Sequence, residues 1–108
     1  MSADVALRVA AARQRQRERF KQLGHAGLRT NAEADGTLLE EIAALDPQGL
    51  KLMRDAADAM NLSARGYHRV LRVARTIADL DGAEKIARIH VAEGLSYRQK
   101  PASLKAAA

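Results

Sequence analysis

Ser63-Ala64-Arg65-Gly66-Tyr67-His68-Arg69-Val70-Leu71-Arg72-Val73-Ala74-Arg75-Thr76-Ile77-Ala78-Asp79-Leu80 is the stretch on which the fold turns. Tyr67, Val70, Leu71, Ala74, Ile77 and Ala78 recur at spacings of three and four, the period that lays side chains along one side of an α-helix. That stripe is predicted to be buried. Arg65, Arg69 and Arg72 repeat at four and three on a different face, with Arg75 at its edge. Ser63 stands where a helix start needs a side-chain acceptor, and Gly82 closes the unit.

Working outward, Asp46-Pro47 is a second helix start. Aspartate accepts from the orphan amides of the first turn, and proline at the first helical position forfeits no hydrogen bond. The helix that follows presents Leu50, Met53, Ala57 and Met60 along one face and ends near Asn61. Further on, Ile89 to Tyr97 reads as a last helix burying Val91, Ala92 and Leu95, while Leu38, Leu39, Ile42 and Leu45 suggest a brief helix before Asp46. Asp4 to Lys21 reads as one helix, yet Val5, Val9, Ala12 and Phe20 only partly fill a stripe. Its run Arg13-Gln14-Arg15-Gln16-Arg17-Glu18-Arg19 is polar on every side and calls for solvent, nucleic acid or a partner. From Gly24 to Gly36 the chain reads as irregular, pinned by Leu28 and with Asn31 capping a short turn.

The prediction is an all-α bundle of four to five helices joined by short turns. Its expected parts are a basic helix over 1–21, an irregular segment with a short helix over 22–45, the helical bundle proper over 46–98 and a flexible tail over 99–108.

Composition narrows the chemistry. At 108 residues the chain suits one small domain. Phe20, Tyr67 and Tyr97 are its only aromatic residues, so aliphatic side chains and alanine must fill the interior. Without cysteine there is no thiol catalysis, disulfide or thiolate metal site, which suits a cytoplasmic protein. No apolar run reaches membrane-spanning length. The formal charge is +5, 18 Lys plus Arg against 13 Asp plus Glu, and an excess of that size suits phosphates, nucleic acid or an acidic subunit.

Catalytic signatures are missing from the sequence. There is no glycine-rich phosphate loop, no apolar strand ending in paired acids and no His-Glu-x-x-His. The acids Glu40, Glu41, Asp55, Asp58, Asp79 and Asp81 read as solvated helix surface. His25, His68 and His90 share no ligand spacing and read as surface or edge residues, so no metal site is expected. The arginines carry more information. Arg65 falls in the first turn of its helix, where the dipole disfavours a cation and favours an anion, and a guanidinium there makes best sense reaching a phosphate.

The motif at 63–80 closely resembles the C-terminal part of magnesium-chelatase-related AAA+ ATPases. Val9 through Phe20, Asn31-Ala32-Glu33, His90-Val91-Ala92-Glu93 and Ser96-Tyr97-Arg98 resemble flanking pieces of the same region, so the likeness runs over about residues 5 to 98. The resemblance implies an AAA+ C-terminal lid packed over the nucleotide at a subunit boundary. An α/β core carrying the Walker motifs would precede it, and the subunits would form a hexameric ring, in one branch a motor acting on DNA. It implies that Arg65 is the sensor arginine that contacts the terminal phosphate, and that ATP with magnesium serves the whole protein, with no cofactor held by this chain alone. Arg69 and Arg72 become candidates for subunit or DNA contact, as do Arg13, Arg15 and Arg17. The core's own motifs are absent here, so catalysis by this chain alone is not expected. Two other readings remain open: a helix-turn-helix DNA-binding module with Arg65, Arg69 and Arg72 on its second helix, and a subunit-docking bundle without catalysis.

Overall fold

A computed structural model describes residues 3–25, 27–28, 30–31, 34 and 36–99. Helix α1 spans Ala3–Gln22, α2 Gly36–Ile42, α3 Pro47–Ala59, α4 Ala64–Leu80 and α5 Arg88–Gln99. The only β feature among the described residues is a single parallel bridge between Leu45 and Ile86. Beyond Gln99 the expected tail lies outside the described residues, as do Ala32 and Glu33 of the short Asn-Ala-Glu motif.

Helix ends follow the local chemistry. Asp46 accepts from Gly49 N at 2.7 Å with Pro47 behind it, and Ser63 accepts from Gly66 N at 3.1 Å. Three helices then close in the same way, with a left-handed residue at Gly24 (φ 81), Asn61 (φ 50) and Gly82 (φ 73). Each closure pairs two orphan carbonyls: after α4, for example, Ala83 N donates to Ala78 O at 2.9 Å and Gly82 N to Asp79 O at 3.1 Å.

Helix α4 is the centre of the molecule, packed against α1, α2 and α5, while α3 packs chiefly on α5. Val70, Leu71, Ala74 and Ala78 are buried as the spacing required, and Tyr67 and Ile77 are half-buried. On α3 the buried positions are Gly49, Met53 and Ala56, with Leu50, Ala57 and Met60 only half-buried beside them. The α5 expectation needs one correction. Ala92 is exposed, and Gly94 lies inside instead, because α5 crosses so close to α4 that a Cβ at Gly94 would stand 3.3 Å from Val70 O.

Helix α1 departs furthest from the sequence reading. From Ala3 to Ala11 every residue is exposed, but Ala12, Gln16 and Phe20 form a buried edge at spacings of four. The polar run has an internal partner. Gln16 Oε1 accepts from Asn31 N at 3.2 Å, and Arg19 binds Asp79 through two hydrogen bonds. Asn31 therefore does not cap with its side chain; its Nδ2 donates to Asp79 at 2.9 Å and to Thr76 at 3.1 Å.

Asp79 and Arg75 also leave the surface positions expected for them. Both are essentially inaccessible, and Arg75 Nη2 lies 3.0 Å from the Asp79 carboxylate. The same guanidinium donates to Ile42 O, Ala83 O and Glu84 O, at 3.2, 2.7 and 2.8 Å. One side chain thus satisfies carbonyls in both the α2–α3 and α4–α5 connections, which Asp46 N to Ile86 O and Ile86 N to Ala44 O also stitch together. Burial pushes the Arg75 pKa below the usual arginine value, with the Asp79 charge opposing that shift. His90 is likewise buried rather than superficial. Its Nδ1 accepts from Ala87 N at 2.9 Å, which leaves Nε2 to donate to Asp81 at 2.9 Å, so it caps α5 from within.

Candidate functional site

The sequence singled out six arginines, and the fold gives them distinct environments. Arg65 sits one residue inside α4, in the first turn that the Ser63 side chain caps at Gly66 N. Its side chain is exposed and has no ion-pair partner among the described residues. Arg69, one turn later, is also exposed and without an ion pair among the described residues. Arg72 is different: half-buried, its Nε donates to Ala34 O at 2.9 Å and ties the irregular segment to α4. A tethered guanidinium of this kind has less freedom to reach an external phosphate than its two neighbours.

On α1 the divergence repeats. Arg15 Nη1 donates to Asp79 O at 3.0 Å, satisfying a carbonyl near the end of α4. Arg17 Nη2 donates to Gln14 Oε1 at 2.6 Å along the same helix, with both side chains exposed. Arg13 is exposed and makes no ion pair among the described residues. The cations left over for an external anion are therefore Arg65, Arg69 and Arg13, and a charge count along the sequence could not have separated them from the other three.

Among the described residues, shallow cavities lie on both sides of one face of α4. One, about 310 Å³, lies between α1 and α4 and is lined by Val9, Ala12, Arg13 and Asn31 among others. The other, about 430 Å³, runs between α4 and α5 with Arg69, Arg72, Val73, Ile77 and Tyr97 in its walls. Both include Thr76 and Leu80, so they adjoin along one side of α4. Sequence reasoning missed this second apolar face. Its signal was present in Val73, Ile77 and Leu80, which repeat at four and three beside the core stripe.

Among the described residues no cluster of three or more His, Asp or Glu is placed to hold a metal ion. Nor is any described helix long and apolar enough to cross a membrane. The geometry also bears on the helix-turn-helix reading. A recognition helix needs a first helix braced against it, whereas α3 packs mainly on α5 rather than on α4.

Comparison with known proteins gives a consistent set of relatives. The sequence profile described as magnesium chelatase, subunit ChlI C-terminal, matches residues 1–98. The protein YifB of Salmonella typhimurium is 38% identical over 97 residues, which is 90% of this chain and 18% of the relative. The competence protein ComM of Haemophilus influenzae is 39% identical over 77 residues, 71% of this chain and 15% of its own length. A relative from Mycobacterium bovis is 39% identical over 98 residues, 91% of this chain and 19% of the relative. The chain spans less than a fifth of the length of these curated relatives.

Proposed function

This chain belongs to the magnesium chelatase subunit ChlI C-terminal family, and we propose that it is the helical lid of a ring-forming AAA+ ATPase of the ComM kind, a motor that acts on DNA. In this reading Arg65 contacts the terminal phosphate of ATP, which an α/β core supplies and holds with magnesium. Bound ATP would provide the phosphoryl group whose cleavage drives the ring. The chain's own part is to place one cation and to close over the nucleotide.

The observation that carries this reading is the setting of Arg65. It stands in the first turn of α4, exposed and without an ion pair among the described residues, where the helix dipole makes a lone cation unfavourable and an anion welcome. A phosphate oxygen would satisfy the guanidinium and the helix end together. One arginine is only part of a nucleotide site, so this chain by itself is expected neither to hydrolyse ATP nor to bind it tightly.

The test is steady-state turnover of the assembled ATPase carrying Arg65→Ala, with Arg69→Ala as the control. Turnover should fall by about one to three decades, the scale of a lost charged contact to a reacting phosphate. The melt should barely move, because an exposed side chain leaves no cavity when truncated. Unchanged turnover in Arg65→Ala beside a loss in Arg69→Ala would move the assignment one turn along α4.

A further inference from the structure

The two cavities beside α4 join into a basic-rimmed trough, apolar between α4 and α5 and mixed on the α1 side where Gln16, Asn31 and Thr76 line it, and we infer that it is a docking surface for a short amphipathic helix of a partner polypeptide, apolar on one face and flanked by Glu and Asp. This does not depend on the nucleotide role of Arg65. The apolar positions of α4 sweep roughly half of its circumference, more than the ~100° stripe that a surface helix needs. One part, Val70, Leu71, Ala74 and Ala78, is buried in the core. The other, Val73, Ile77 and Leu80, stays half-buried and open to the trough, and on α5 Tyr97 stands over it with 58% of its surface exposed.

Charge decides the occupant. Arg69 borders the trough on the α5 side and Arg13 on the α1 side, Arg72 being tied to Ala34, and among the described residues no acid lines either cavity. A second copy of this chain would bring basic rim against basic rim, in a protein of net charge +5. Nucleic acid fits the rim but not the α4–α5 floor, where Val73, Ile77 and Leu80 offer no donor or acceptor and Thr76 adds a single hydroxyl. An acid-flanked apolar helix meets both demands: leucine-like anchors fill the floor and carboxylates reach the guanidiniums. Length agrees as well. From Arg69 to Leu80 α4 rises about 17 Å, three turns, which a partner of similar length would cover.

The experiment titrates the isotopically labelled chain with a synthetic helix of about fourteen residues, leucine along one face and glutamate on the flanks. A second peptide carries lysine in place of glutamate, and a third has the glutamate composition with its periodicity scrambled. The glutamate helix should shift the amide signals of Val73, Ile77, Leu80 and Tyr97 saturably, and the other two should bind at least about tenfold more weakly. Arg69→Glu, an exposed substitution that does not burden the core, should narrow or reverse the preference between the glutamate and lysine peptides. Ile77→Glu should abolish binding. The inference is overturned if the glutamate helix leaves those amides unmoved, or if charge preference is unaltered by Arg69→Glu. It is equally overturned if a DNA duplex shifts the same amides more strongly, or if sedimentation shows the chain covering the trough with a second copy.

Discussion

Removing the Asp79 carboxylate should cost as much as truncating a buried core side chain, although its position in the sequence looks like helix surface. The carboxylate has no solvent exposure and accepts from Arg19, Asn31 and Arg75. In Asp79→Ala these donors fare differently. The Arg19 side chain is 20% exposed and can turn to water, whereas that of Arg75 is 1% exposed and cannot. Arginine keeps its proton throughout the working pH range, so the variant holds a buried cation with only backbone carbonyls around it. Stranding one member of a buried pair costs about 3–5 kcal/mol, against a total stability of about 5–15 kcal/mol for a domain. With a urea slope of about 1 kcal/mol/M, the midpoint followed by circular dichroism should fall by about 3–5 M. The same substitution in an Arg75→Met background should cost at least about 1 kcal/mol less, because no cation is left to strand. A loss below about 1 kcal/mol, the range of an exposed ion pair, would refute the reasoning, and so would strict additivity in the cycle.

Three further outcomes follow from backbone and cap geometry. Gly49→Ala places a Cβ 2.8 Å from Ile86 O at the α3–loop crossing, so thermal denaturation should show a loss of about 1–3 kcal/mol. Ser63→Ala removes the acceptor for Gly66 N and should cost about 1 kcal/mol by urea titration. His90→Ala leaves Ala87 N without its acceptor and opens a cavity at the start of α5, so hydrogen exchange should accelerate there before it does in α4.

Local chemistry made much of this fold legible. The Asp46-Pro47 start, the Ser63 cap, the Gly82 stop and the three-and-four stripe from Tyr67 to Ala78 each depend on residues within a turn or two of one another. What could not be read was set by contacts between distant segments. Asp79 is internal because Arg19 and Asn31, 60 and 48 residues away, converge on it. Gly94 rather than Ala92 lies inside because α5 approaches α4 closely enough that a Cβ at 94 would crowd Val70 O. Helix α1 reads as weakly anchored because, beside Ala12 and Phe20, its anchors are polar, and a count of apolar positions gives Gln16 and Arg19 no weight.

The same limit governs the candidate site. Arg65, Arg69, Arg72 and Arg75 follow one another at spacings of four, three and three, so by helical geometry they share one side of α4, and periodicity alone offers no ground for treating them differently. Their fates diverge because α4 is central. Arg75 faces two loops whose carbonyls need a donor, and Arg72 faces Ala34. Arg69 faces an apolar trough, and Arg65 stands at the exposed helix start. Toward the start of α4, between Arg72 and Arg69, internal partners thus give way to open surroundings. A basic residue can serve an external ligand only where the fold has left its charge unspent, and on α4 that condition holds at Arg65 and Arg69. This is why we propose the phosphate role for the former and the rim of a protein-docking surface for the latter, and why their alanine variants should separate ATP turnover from helix capture.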